Sequence, residues 1–349
     1  MAMNFLARMS GLFVSRLRLV DRGTRVSAIQ SHFAATGLHK RARRNSILFL
    51  GLKALGESEH LKGLLQISVI WRRALRYGRI LGNLRELRAV MTLLTDEMLS
   101  ELPKVQAAFP FKFLHERLFC RGLSTRDRVQ CLLQHYNFLR SALTPSALQQ
   151  ILFSETCVLF QIIKNDHTAS ITLCLPSHNI EGELSLLFKV GDEHIYSLSF
   201  TIVPGYVVRS TAERAILISR VQGVKAKSVQ FRIATTALIG VAPPMALLEA
   251  VQGIGRAFNI SHLYGVSAER HPTFTRKYAE LFSRAYDEFY AANGMTPENG
   301  GFFHGTIPLM QKPISSARSS SRRRIKLRRG MRKSISDAVY ESMARNCLG

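Results

Sequence analysis

The sequence predicts an α+β fold, a helical region followed by a largely antiparallel sheet that carries a helix-pair crossover. Two observations predict it. Apolar residues recur at helical spacing up to about residue 153, and from residue 157 they switch to short runs bounded by turn residues. Within the second part a strand, two helical stretches and a further strand follow one another, which is the pattern of a crossover laying helices on a sheet. Helices first and strands after belong to the α+β class.

Four segments are expected. Residues 1–45 read as a basic, weakly ordered arm, in which Arg8 and Arg16 interrupt the unbroken apolar core that a secretory leader needs. Residues 46–153 read as a helical domain, residues 154–312 as the α+β domain and residues 313–349 as a basic, serine- and arginine-rich tail. In the helical domain Leu48, Leu52 and Leu55 begin the periodic pattern. Arg72, Arg73, Arg76 and Arg79 then read as a solvated face, with a phosphate-binding stripe as the alternative. Phe109, Phe111 and Phe113 are expected in an extended link. Ser124 and Asp127 have the spacing of a capping box, and the helix they open turns Val129, Leu132, Tyr136 and Leu139 inward. His135 adjoins Tyr136, so only one of the two is expected to point squarely into the core. Thr144 and Pro145 cap and start the next helix.

Strands are expected at 157–164, 170–175 and 183–190, with turns at Asn165-Asp166 and Gly191-Asp192. In the strand from His194 to Val203, Tyr196, Leu198, Phe200 and Ile202 share one face and Ile195, Ser197, Ser199 and Thr201 the other, the pattern of a half-buried strand. A strand from Ala215 to Gly223 completes a meander of five. A helix from about Ala226 is expected to bury Phe231, Ala234, Thr235 and Leu238 and to stop at Gly240. Pro243 and Pro244 open a second helix, with Leu247, Leu248, Val251, Ile254 and Phe258 inward. The sixth strand is His262 to Ser267. A long helix from Phe274 to Ala292 should turn Tyr278, Leu281, Phe282, Tyr286 and Phe289 inward. An extended return at 300–311 and a flexible stretch from Ser315 to Lys333 follow, the latter leading to a short helix marked by Met331, Ile335, Val339 and Met343.

Charge separates ends from centre. Of a net +24, residues 1–90 hold 17 basic and 4 acidic residues and residues 311–349 hold 11 and 2, whereas the centre is nearly neutral. The expected partners of such ends are an anionic membrane surface or nucleic acid. No run is long and apolar enough for a transmembrane span. Five cysteines without close pairs argue against a disulfide framework and for a cytoplasmic protein, with the basic ends able to hold it at the inner membrane. Cys131 and His135 lie one helical turn apart, but a zinc site needs further ligands, so no metal is expected.

The tract carrying Tyr196 to Phe200, Arg220 to Gly223, the helix pair at Pro243-Pro244, and Gly265 to Ser267 with His271 resembles the VirK/YbjX family of bacterial proteins. The similarity continues through Gln134 to Leu139, Tyr286 to Tyr290, Asn293-Gly294 and Gly301 to Phe303, and spans roughly residues 70–310. Tyr290 stands where that family usually has tryptophan, and Ala268 where a polar residue is common. The resemblance implies an accessory role in virulence, stress response or resistance to envelope-damaging peptides, without an established chemistry. A second similarity points to an enzyme. Meander, glycine turn, helix and strand resemble the acyl-CoA-binding core of GNAT-type acyltransferases, although the turn Arg220-Val-Gln-Gly223-Val-Lys225 lacks the small residue at its last position. That reading makes Arg220, Gln222, Gly223, Lys225 and Lys227 the cofactor-binding candidates, with amides at a helix start able to hold phosphate. It makes Tyr196, Ser199, Ser267 and His271 the candidates to position a nucleophile or move a proton. The structural alternatives are a plain turn at Gly223, a core tyrosine at 196 and a histidine that orients the next helix.

Overall fold

The computed structural model describes residues 78–154, 157–316 and 318–347. The readings for the N-terminal arm, for the start of the helical domain and for Arg72, Arg73 and Arg76 lie outside the described residues. Helix α1 (Leu84–Leu93) and the short α2 (Leu102–Val105) lead to a 3₁₀ turn at Phe109–Leu114. Helices α3 (Thr125–Ala142) and α4 (Pro145–Phe153) follow. The strands are β1 (Cys157–Lys164), β2 (His167–Cys174), β3 (Leu184–Val190), β4 (Glu193–Pro204) and β5 (Arg214–Gly223). Helices α5 (Ser228–Ala237) and α6 (Pro243–Ala257) cross to β6 (His262–Val266). Then come α7 (Ala279–Phe282), a π-helical turn at Ser283–Asp287, α8 (Glu288–Ala292), β7 (Thr296–Glu298), β8 (Phe302–Thr306) and α9 (Ser319–Ala344).

One sheet of eight strands, in the order β1-β2-β3-β4-β5-β6-β8-β7, makes this an α+β protein. Every neighbouring pair is antiparallel except β5 and β6, which are parallel because the α5–α6 crossover separates them. Helix α6 packs on β3, β4 and β5, and α9 packs on α6. Gly253 permits that last contact, since a Cβ there would lie 2.5 Å from the Ser336 carbonyl oxygen.

Local rules explain several helix starts. Asp127 N–H donates to Ser124 Oγ while the Asp127 carboxylate accepts from Ser124 N–H, a complete capping box. Thr144 Oγ1 accepts from Ala147 N–H, and Pro145 occupies the first turn of α4.

Four expectations are corrected. Phe109 and Phe113 are buried from a 3₁₀ turn, not from an extended link; the turn stacks Phe109 with Lys112 and Pro110 with Phe113, and all four are buried. Ser197, Ser199 and Thr201 are buried too, so β4 is covered on both faces; its small hydroxyl side chains are satisfied within the sheet and by the preceding loop. Phe231 is exposed, because α5 begins at Ser228 and buries Ala234 and Ala237. Tyr278 and Leu281 are exposed as well, because the π turn shifts the register so that Phe282, Tyr286 and Tyr290 face inward.

The stretch 315–333, read as flexible, is largely helical: α9 runs unbroken through it. Its carboxyl-terminal half is anchored by buried Ile335, Val339 and Met343, and extending an existing helix is far easier than starting one.

His135 and Tyr136 are both fully buried, against the expectation that one would turn away. The reason lies in β4, which continues past its last β3 partner at Phe200. The Ile202 N–H has no partner on the β3 side and donates to His135 Nδ1 at 3.1 Å. Tyr136 donates to Glu183 Oε2 at 2.7 Å, and Lys112 Nζ lies 2.7 Å from Glu183 Oε1, with both charged side chains almost wholly buried. Burial pushes the Glu183 carboxyl up, and Lys112 and Tyr136 pull it back. This cluster ties the turn before α3, α3 itself and the start of β3 together.

Removing one partner of such a pair leaves the other charge buried and uncompensated. Lys112→Met is expected to lower stability by about 3–5 kcal/mol, and Lys112→Met/Glu183→Gln to lose distinctly less. Urea unfolding of the three proteins checks this; a double variant as unstable as the single one would show that packing, not charge, sets the cost.

Candidate functional site

The site is built where two parallel strands part. Strand β5 pairs with β4 along its length but with β6 at only three positions, Ile216 to Leu263, Leu217 to Tyr264 and Ile218 to Gly265. Ser219 is then an extra residue, because Ser199 lies opposite Arg220 while Phe200 lies opposite Ile218. Beyond this bulge β5 continues to Gly223 and β6 to Val266 without pairing to one another.

Two side chains occupy the parting. His271 is buried, its ring tilted against that of Tyr286 with centroids 4.4 Å apart, and turns its Nε2 toward the Ser219 carbonyl without a well-formed hydrogen bond. Its Nδ1 meets the Thr273 N–H at 3.2 Å and the Thr273 hydroxyl at 3.0 Å. Burial, then the charges of Arg220 and Arg121, lower its pKa to about 3, so the ring is neutral at ordinary pH. Tyr286 sits in the π turn and meets the backbone of Val221, and burial pushes its phenol well above the ordinary range. Single π turns recur at functional sites because they displace one side chain from helical register.

Arg220 projects from β5 toward the loop before β3 and pairs with Glu181 at 2.5 Å, both largely buried. Arg121 and Arg270 bind the surrounding loops through carbonyls: Arg270 Nε donates to Arg121 O at 2.8 Å and its Nη1 to Gly300 O, and Arg121 Nη2 donates to Phe274 O. Asp287 Oδ1 accepts from Ala268 N–H at 2.8 Å and holds the end of β6 against the π turn. Arginine exceeds carboxylate around the opening.

The candidates from the sequence fall as follows. Tyr196 lies opposite Gly223 with its ring against that glycine, and burial pushes its phenol up. Ser199 lies beside Arg220 in register and shares a 3.1 Å hydroxyl contact with Ser185. Ser267 follows β6, where its N–H donates to Gly301 O at 3.2 Å. His271 approaches Tyr286, whereas the Tyr196 ring meets Phe231 at 6.4 Å between centroids. Among the cofactor candidates, Arg220 is committed to Glu181 and Lys227 to Glu193 at 2.8 Å, while Gln222 and Lys225 are exposed. Helix α5 starts without a side-chain cap. Glu181, Arg121, Arg270 and the site role of Tyr286 had no local signal, apart from the Tyr286-Asp-Glu run that carried a resemblance.

Cys131 and His135 are both buried in α3, where His135 serves the β4 backbone and burial holds the Cys131 thiol well above its usual range. Among the described residues no helix is long and apolar enough to cross a membrane.

The fold and the opening define an α+β protein whose mixed sheet parts at its one parallel strand pair. A family profile described as a protein of unknown function (DUF535) matches residues 67–340, and the chain belongs to that family. Searches of curated proteins and of solved structures gave no significant match.

Gly223 has an ordinary φ, so its requirement is space rather than a left-handed backbone: a Cβ there would lie 2.8 Å from the Tyr196 ring. Gly223→Val is expected to cost about 1–3 kcal/mol by overpacking, and most of that cost should vanish in a Tyr196→Ala background. Equal penalties in both backgrounds, measured by thermal unfolding, would place the strain elsewhere.

His135 and His271 both have pKa values lowered to about 3 by burial. Each contributes stability that is complete above the unfolded value near 6.5 and is lost as pH falls from there toward 3, because only the unfolded chain takes up the proton. The slope is about 1.4 kcal/mol per pH unit for each histidine. The raised Glu183, Glu249 and Asp287 carboxyls oppose it at lower pH. Urea midpoints should fall between pH 7 and pH 5, and His271→Gln should shallow the dependence by about one proton. A slope unchanged by His271→Gln would mean that the ring titrates freely.

Proposed function

We propose that the opening between β5 and β6 is a site of acyl transfer, taking an acyl-CoA-type thioester as donor and a component of the bacterial envelope as acceptor. The observation that carries this reading is the parting of the one parallel pair beyond the Ser219 bulge, at the carboxyl ends of both strands. Open sheets place ligands at such strand ends, and here the rings of His271 and Tyr286 would have to make room for one. The sequence of meander, glycine turn, helix and strand, which is that of the GNAT acyl-CoA-binding core, supports it. The VirK/YbjX resemblance supplies the setting, a bacterial response to envelope damage.

The residues at the turn fit a phosphate-bearing donor: Lys225 is exposed without an ion pair, and the amides opening the ten-residue α5 lack a side-chain cap. When bound, the donor supplies an activated acyl carbonyl and a thiolate leaving group. Lys225 would bind its phosphates, joined by Lys227 on release from the half-exposed Glu193, with Gln222 and Gly223 shaping the turn. Arg220, held by Glu181, positions the strand instead. Tyr286 keeps its proton at neutral pH because burial disfavours the phenolate, which suits it to hydrogen-bond and orient a donor group without giving up the proton. His271 is neutral and its Nδ1 is already engaged, so it packs against the Tyr286 ring rather than acting as a base. Tyr196 and Ser267 would flank a donor at the two strand ends, with Ser199 buried behind them on Ser185.

A second reading, a non-enzymatic accessory protein docked through its basic ends, has its own support. The Tyr196 ring covers Gly223, and His271 and Tyr286 fill the parting.

Calorimetry with acetyl-CoA and palmitoyl-CoA separates the two. Saturable binding by the wild type, abolished in Lys225→Glu/Lys227→Glu and retained in Tyr286→Phe, is the expected result. No heat at high micromolar ligand from folded protein would leave the accessory reading standing.

A further inference from the structure

Helix α9 consists of two electrically different halves. Its carboxyl-terminal half is built into the fold: Ile335, Val339 and Met343 are fully buried, Arg332 pairs with Glu249 at 2.5 Å and Arg256 pairs with Asp337 at 2.6 Å. The stretch from Arg318, just before the helix, to Lys333 holds nine basic residues and no acidic one, Arg332 among them. Besides Arg332, three of these cations turn back on the fold. Arg328 lies against Gly240, Arg329 donates to the Lys312 carbonyl and Arg322 donates to the Ser315 carbonyl. Arg323, Arg324, Lys326 and Lys333 are exposed, and none of them is in an ion pair.

Helical spacing puts residues 323, 326, 327, 330, 333 and 334 on one arc. That arc faces away from α6, since a Cβ at Gly330 would meet nothing within 4 Å. It presents Arg323, Lys326 and Lys333 around Leu327, which is 51% exposed. Two further apolar side chains stand near the same end: Met310, 84% exposed, two residues before the Lys312 carbonyl that Arg329 binds, and Ile239, 41% exposed, beside Gly240.

The arrangement is unfavourable for the helix alone. Like charges three and four residues apart repel, and cations in the first turns oppose the positive end of the helix dipole. An anionic surface removes both penalties.

We infer that the solvent face of the amino-terminal half of α9 docks on an anionic lipid bilayer, with Arg323, Lys326 and Lys333 at the headgroups and Leu327 reaching the acyl boundary. Apolar tips among cations suit an interface that is charged at its surface and apolar beneath. The exposed arc carries no aromatic ring to stack on a base and no amide side chain to read one, which disfavours nucleic acid. The inference concerns where the protein docks, and it stands under either reading of the β5–β6 opening.

The test is co-sedimentation of the full chain with vesicles of phosphatidylcholine alone and of phosphatidylcholine with phosphatidylglycerol, across a salt series. A duplex DNA and a single-stranded RNA oligonucleotide are assayed in parallel. Binding is expected on the anionic vesicles only and should weaken with salt. With each cation worth roughly fivefold in affinity, Arg323→Glu/Lys326→Glu/Lys333→Glu should lower it by about a hundredfold or more. Leu327→Ser should lower it about tenfold without changing the salt slope, because the lost contact is apolar. Circular dichroism confirms folding, and Lys326→Glu alone serves if the triple variant does not fold. Vesicle binding indifferent to these changes would overturn the inference, and so would tight oligonucleotide binding without vesicle binding.

Discussion

Strand β5 must satisfy its backbone on two sides, and only one side has a partner along its full length. β4 supplies that partner, whereas β6, arriving by a crossover, meets β5 at three positions. Much of the local architecture follows. The Ser219 bulge turns β5 away from β6, and the backbone beyond it needs something else to face. His271 and Tyr286 provide it from the segment after β6, and the π turn is the local distortion that brings Tyr286 there. The candidate site is thus a consequence of a hydrogen-bond deficit in the sheet.

A similar deficit is met differently at the other end of β4. There the Ile202 N–H is taken by His135, and the neighbouring Glu183 is neutralised by Lys112 and Tyr136. Both places use buried polar groups whose partners come from distant segments. Such clusters add little net stability, but they are intolerant of losing one member. Around the parting, arginines bound to loop carbonyls hold the loops in place, while Lys225 at the α5 turn and the cationic stretch of α9 are among the charges turned to solvent.

Helix α9 shows how anchoring and charge compete. Composition alone argues for a solvated arm between Ser315 and Lys333, because repulsion among like charges opposes helix formation. Three buried apolar residues beyond that stretch reverse the outcome. Once Ile335, Val339 and Met343 dock on α6, each added residue of helix costs little. The result is a rigid cationic projection in place of a flexible one.

By itself the sequence determined the α+β class, the capping box at Ser124, the Thr144 cap, the five strands of the meander and the helix pair opened at Pro243. Each of these depends on residues within a few positions of one another, where periodicity and turn chemistry act directly. It also marked Tyr196 and His271 as residues of the right neighbourhood. Only the tertiary structure decided that His135 is as buried as Tyr136, that Arg220 spends its charge on Glu181, that Gly223 is needed for room under a tyrosine ring, and that Tyr286 stands at the parting. Those outcomes depend on which strand outruns its neighbour and which loop arrives opposite it. Such pairings join residues 39 positions apart, as for Glu181 and Arg220, or 67, as for His135 and Ile202, and no local pattern encodes them.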